Sequence, residues 1–125
     1  MGEFMIKDVI TFGEAMGMLI AEEIGDLSEV KTFSKNMAGA ETNVAIGLAM
    51  LGLKVGWIGK LGNDTFGRYI IETLKKEQVD VSNVPLENES VDVVVCCLSL
   101  WGSNWIDQLK EAKRILKPFG RIFIA

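Results

Sequence analysis

Residues 38–52 read Ala-Gly-Ala-Glu-Thr-Asn-Val-Ala-Ile-Gly-Leu-Ala-Met-Leu-Gly, and the fold is decided there. From Glu41 to Leu51 the residues Val44, Leu48 and Leu51 recur at helical spacing, and Gly52 stops the helix as a carboxyl-terminal glycine does. Ahead of the helix, Gly39 permits a sharp turn and a close backbone approach, and Asn43 offers both a donor and an acceptor. Such a turn presents backbone N–H groups and an amide side chain to a polar ligand at a helix N-terminus. The stretch from Ala38 to Ala45 is therefore a candidate binding turn. The same spacing also suits an ordinary strand-to-helix turn.

Working outward, Asp8 to Phe12 reads as a strand ending at Gly13, and Met18 to Ala21 is apolar. Val30 to Ser34 alternates as a short edge strand does, so residues 19–36 are expected to project as a β-hairpin. Downstream, Lys54 to Gly59 is a strand. Asn63 or Asp64 then caps a helix running to about Gln78, with Phe66, Ile70 and Leu74 on one face. Val79 to Val84 is short and strand-like. Val91 to Cys97 is almost continuously apolar, as a strand buried on both faces is. Ser103 or Asn104 caps a third helix with Trp105, Leu109, Ala112 and Leu116 along one stripe. Lys117 and Pro118 end it, Gly120 makes a turn, and Arg121 to Ala125 is a last strand. Alternating strands and helices predict an α/β fold: three αβα layers around a mostly parallel sheet, plus the small hairpin or lid at 19–36.

Composition narrows the function. The 125 residues are 49% hydrophobic and 24% charged, which fits one folded domain rather than a disordered chain. A net charge of −4 without a basic stripe argues against nucleic-acid binding. No apolar run reaches the roughly 18–20 residues of a membrane helix, and no export signal opens the chain. Met1 to Phe4 reads as a cloning scar ahead of a second start at Met5. Cys96 and Cys97 are adjacent and point to opposite faces of a strand, so they make neither an easy disulfide nor a metal pair. A reducing cytoplasm is the expected compartment. The absence of histidine removes Ser-His-Asp and Cys-His catalysis and every His-dependent zinc arrangement. Trp57, Trp101 and Trp105 lack basic neighbours and read as core or interface aromatics.

Several phrases, in order, carry a resemblance. Thr11-Phe12-Gly13-Glu14, then residues 38–49, then Leu51-Gly52, then Trp57-Ile58-Gly59-Lys60-Leu61-Gly62-Asn63-Asp64-Thr65-Phe66-Gly67 resemble the N-terminal part of PfkB (ribokinase-like) carbohydrate kinases. Within that family, 2-keto-3-deoxygluconate kinases look nearest. The resemblance, over about Asp8 to Val84, implies that Gly39 to Asn43 touch a sugar or sugar acid, with Gly39 and Asn43 foremost. It implies that residues 19–36 form the family's β-lid, which often mediates dimer contacts, so a homodimer is expected. Met18 stands where many members place a polar residue toward the substrate. Nothing after Val84 resembles the Gly-Ala-Gly-Asp stretch that carries the family's catalytic aspartate.

The remainder suggests a different origin. Pro85 to Val95, Cys97 to Leu100, Gly102, Asn104, Leu109, Glu111, Ala112 and Arg114 to Pro118 resemble the late part of a Rossmann-like S-adenosylmethionine-dependent methyltransferase, nearest to an rRNA-processing type. The cofactor loop of such enzymes, acidic-x-Gly-x-Gly after a first strand, has no counterpart here. Gly59-Lys60-Leu61-Gly62 is not a phosphate-binding Walker loop, because Lys60 is not followed by Ser or Thr. Together these readings predict a chimera joined near Val84-Pro85, a kinase fragment (5–84) and a methyltransferase fragment (85–125) folded as one domain. It would have no catalytic residues, cofactor or metal, and at most a vestigial sugar-acid site. The alternatives are a carbohydrate-kinase fragment that binds a sugar acid, and a methyltransferase-derived fragment.

Overall fold

A computed structural model describes residues 7–82, 86–96, 103 and 105–124. The strand β1 (Val9–Phe12) lies inside a four-stranded sheet, with β4 (Val55–Ile58) on one side and β5 (Val91–Cys96) on the other. The outer strand beyond β5 is β6 (Leu116–Ile124), and all three pairings are parallel. Three helices connect these strands: α1 (Ala40–Met50), α2 (Thr65–Lys76) and α3 (Trp105–Ile115). The antiparallel pair β2 (Met16–Ala21) and β3 (Phe33–Ala38) stands apart as the expected hairpin. The α/β fold with a mostly parallel sheet is as the alternation predicts.

Successive residues of a strand face opposite ways, and here both faces are buried. On one face Val9, Val55, Trp57 and Val95 pack with Ala45 of α1 and with Ile70 and Leu74 of α2. On the other, Ile10, Phe12, Val94 and Cys96 pack with Ala112 and Ile115 of α3. That two-sided burial explains the unbroken apolar run in β5. Placing α1 and α2 on one face and α3 on the other makes β1 and β5 the point where the chain changes direction. In open α/β sheets, ligands bind outside the carboxyl ends of the strands at such a point.

Local chemistry sets the boundaries. Asp64 caps α2, accepting a hydrogen bond from the Gly67 N–H at 2.8 Å, while Lys75 and Lys76 complement the helix's carboxyl end. Asp8 accepts from the Lys54 N–H at 2.8 Å and joins the entrances of β1 and β4. The Lys7 ammonium lies 2.5 Å from Asp80, whose backbone pairs with Val55 and Trp57.

Some expectations need correction. The second hairpin strand is Phe33–Ala38, not Val30 to Ser34, because pairing with Met16–Ala21 fixes its register. Around Val79 to Val84 only the isolated bridge between Gly56 and Asp80 forms, and residues 83–85 lie outside the described ones. Leu116 does not extend the stripe of α3, since it pairs with Val91 and begins β6. The left-handed backbone falls at Phe119 (φ 68°) rather than at Gly120. Trp57 and Cys96 are buried and Trp105 is exposed. Trp101, Cys97 and the candidate cap Asn104 fall outside the described residues.

Candidate functional site

The carboxyl end of β1 is built from close backbone contacts. The Gly13 N–H donates to the Ile58 carbonyl at 3.1 Å, locking the exits of β1 and β4 together. A Cβ on Gly13 would run into the carboxyl group of Glu41, and one on Gly59 would strike both the Trp57 ring edge and the Gly13 carbonyl oxygen. Glycine is therefore what lets the first turn of α1 settle onto the strand ends.

Gly39 makes the turn into that helix with φ 150° and ψ 131°, where an L side chain is strained. A Cβ there would also lie 2.7 Å from both the Glu14 carbonyl and the Thr42 Oγ1. The Gly39 carbonyl accepts from the Thr42 hydroxyl at 2.9 Å and the Asn43 N–H at 3.0 Å. Unlike α2, α1 has no side-chain cap, because its N-cap residue is Gly39. The first-turn amide donors of α1 thus lack the side-chain acceptor that Asp64 supplies to α2.

The five predicted residues come together at this turn but divide by exposure. Ala40 and Asn43 are exposed, whereas Gly39, Glu41 and Thr42 are buried. Glu41 is 4% exposed, set over Gly13, and Thr42 is 0% exposed and engaged with Gly39. Asn43 is thus the polar side chain of the five that solvent reaches, and the two buried ones shape the turn. A carboxylate in the first turn is also favoured by the helix dipole.

The hairpin flanks this turn and is docked on α2. Gly17 lies against the Phe66 ring, the Tyr69 hydroxyl donates to the Lys35 carbonyl at 3.3 Å, and the Lys35 ammonium sits 4.1 Å above the Tyr69 ring. Met16, Met18, Leu19, Ile20 and Phe33 remain exposed. A cavity of about 610 Å³ lies elsewhere, near the start of β4, lined by Lys7, Lys54, Val55, Lys75 and Asp80 among others. No cluster of acidic or cysteine residues suited to a metal occurs among the described residues. No helix among them is long and apolar enough to cross a membrane.

Sequence reasoning read Trp57 as a core or interface aromatic and Thr11 as part of a family phrase, and gave neither a role at the turn, under which both are buried with an unpaired polar atom. Their signal was a threonine and an indole in otherwise apolar strands, which reads equally as packing.

Comparison with known proteins extends these observations. The model of the pfkB family carbohydrate kinases matches residues 6–99. A 2-dehydro-3-deoxygluconokinase of Bacillus subtilis is 60% identical over 80 residues, covering 64% of this chain and 25% of that protein. A putative sugar kinase of Pyrococcus horikoshii is 46% identical over 136 aligned positions, covering 94% of this chain and 43% of the relative. Its crystal structure superposes with a TM-score of 0.73 at 27% identity over 93% of this chain and 51% of that one. The chain thus spans a quarter to a half of the length of these relatives.

These matches overturn the chimera. The family match passes the supposed junction at Val84-Pro85, and the Pyrococcus relative aligns with nearly the whole chain. The part from Pro85 onward has what any βαβ unit of a doubly wound sheet requires, so its likeness to a methyltransferase does not set it apart. Such a unit needs a strand buried on both faces, an amphipathic helix and a returning strand.

Proposed function

The chain belongs to the pfkB family of carbohydrate kinases, and on that premise we propose that it carries the sugar-holding part of a kinase for 2-dehydro-3-deoxygluconate or a closely similar sugar acid. The observation that carries this reading is the glycine-capped entrance to α1. Its first-turn amides lie at the carboxyl end of the sheet with no capping side chain, and the exposed Asn43 stands beside them. A sugar acid has matching groups: a carboxylate and hydroxyl oxygens to accept from backbone N–H groups, and hydroxyl protons to donate to the Asn43 amide oxygen. The name of the Bacillus relative, at 60% identity over 80 residues, supports the choice of substrate class.

In this reading the chain's own residues bind and orient. Gly39 and Gly13 let the backbone close around the ligand, Glu41 and Thr42 hold the turn rigid, and Asn43 selects hydroxyl geometry. No step of phosphoryl transfer is assigned to them.

Calorimetric titration with 2-dehydro-3-deoxygluconate is the test. Saturable binding is expected, and Asn43→Ala should weaken it by about 10-fold or more, as loss of a hydrogen bond to a polar ligand does. Because Asn43 is exposed, its thermal midpoint should stay with the parent's. No heat at millimolar ligand, or equal affinity in the variant, would count against the reading.

A further inference from the structure

Two buried polar atoms under the turn have no hydrogen-bond partner in the protein: Thr11 Oγ1 and Trp57 Nε1. They belong to one place. Thr11 and Trp57 are register partners on the adjacent strands β1 and β4, whose spacing is about 4.8 Å. Both lie on the face covered by α1, and they are 0% and 5% exposed.

An indole N–H can only donate, and a threonine hydroxyl donates or accepts. Leaving two such groups unpaired in a core would cost about 1–3 kcal/mol each. A native interior meets that demand with a buried water making two to four hydrogen bonds. We propose that Thr11 and Trp57 form a binding site for one internal water molecule. The water accepts from the indole N–H and exchanges a hydrogen bond with the Thr11 hydroxyl. It joins β1 and β4 by side chains, as the Gly13 to Ile58 bond joins their exits by backbone. This site stands whether or not a sugar acid binds above it.

The sign of one stability change tests the site. If the Thr11 hydroxyl were unpaired, Thr11→Val would replace a costly polar group with an apolar one of the same shape and raise the thermal midpoint. With the water in place, Thr11→Val strips it of a partner and lowers the midpoint, while Thr11→Ser, which keeps the hydroxyl, loses less. A rise in Thr11→Val overturns the proposal. A high-resolution crystal structure of the parent chain separates solvent from direct contact. A solvent peak within about 3.2 Å of both side-chain atoms is expected. An indole N–H donating straight to Thr11, or a dry gap, overturns the proposal.

Discussion

The two ends of this chain treat the same βα unit differently. In residues 7–82 the unit buries polar groups: Thr11 inside a strand, Glu41 and Thr42 in the first turn of a helix, and Lys7 paired with Asp80. Gly13, Gly39, Gly59 and Gly67 are positions there where another group comes too near for a Cβ, as Gly120 is in the other region. Among the described residues of 86–124 the buried ones are apolar, namely Val91, Val94, Val95, Cys96, Ala112 and Ile115, although the partly buried Gln108 keeps a buried amide oxygen without a partner. The charges stay outside, where Lys117 grips Asp92 at 2.9 Å and Arg114 bonds Glu111 and Asn88. One region tolerates more expensive interior chemistry, at both ends of its strands, than the other does. Yet the plainer region is not peripheral, since β5 pairs with β1 residue for residue from Val93 to Cys96.

The largest effect should come from striking at that pairing. Val94 is fully buried opposite Ile10, so Val94→Asp places an unpaired charge in the core, at a cost of about 4 kcal/mol or more. Hydrogen exchange should then show β1 and β4 losing protection together with β5. Amides of β1 that stay protected while β5 opens would mean that the two regions fold separately, and the comparison would fail.

How much was legible in the sequence follows from the same contrast. β1, α1, β4 and α2 were readable to within one or two residues because their signals are local: an apolar run, Gly52 behind a helix, Asp64 ahead of one. The register of β3 was not, because alternation from Val30 to Ser34 carries no information about its partner. Nor was the start of β6, because Leu116 continues the helical stripe, and only the distant Val91 pulls it into a strand. At the site, the glycine turn at Gly39 ahead of a helix could be read. The burial of Glu41 could not, since a first-turn glutamate ordinarily faces water and here the deciding neighbour is Gly13. The misplaced junction has the same cause. The βαβ pattern after Pro85 is shared by many doubly wound sheets, so likeness there does not by itself mark a separate origin.

A medium-sized effect should separate the ion pairs of the two regions. Partial burial works against the charged form of Asp80, but hydrogen bonds from Lys7 and Ser82 outweigh it and hold the carboxyl below its ordinary 3.8. A group whose pKa is lowered on folding stabilises above its unfolded value, and that contribution fades as pH falls through the folded one. Asp80→Asn should therefore cost about 1–3 kcal/mol near neutral pH, since Lys7 is left buried without its partner. The gap between parent and variant should close as the solution is acidified below pH 3.8. Glu111 is also held low, by hydrogen bonds from Arg114, but that pair is well exposed, and Glu111→Gln should cost less than about 1 kcal/mol. Equal losses in urea unfolding would erase the distinction between paired charges inside and outside.

The smallest effect probes the plainer region's outer strand. Phe119 is held at φ 68°, where an L side chain costs about 1–2 kcal/mol, and its ring is fully solvent-exposed. The neighbouring Gly120 cannot take over as an alanine-like residue, because a Cβ there would lie 2.8 Å from Leu116 Cδ2 and 2.9 Å from the Lys117 carbonyl. Phe119→Gly removes the strain at no loss of burial, though glycine's greater freedom in the unfolded chain returns about 0.5–1 kcal/mol of it. A net gain of about 0.5 kcal/mol is expected, seen as a higher urea midpoint with an unchanged slope. A loss instead would show that the ring stabilises the folded chain enough to outweigh its strained backbone. The outer strand would then contribute more than sheet pairing, and the division between a chemically richer region and a plainer one would have to be drawn elsewhere.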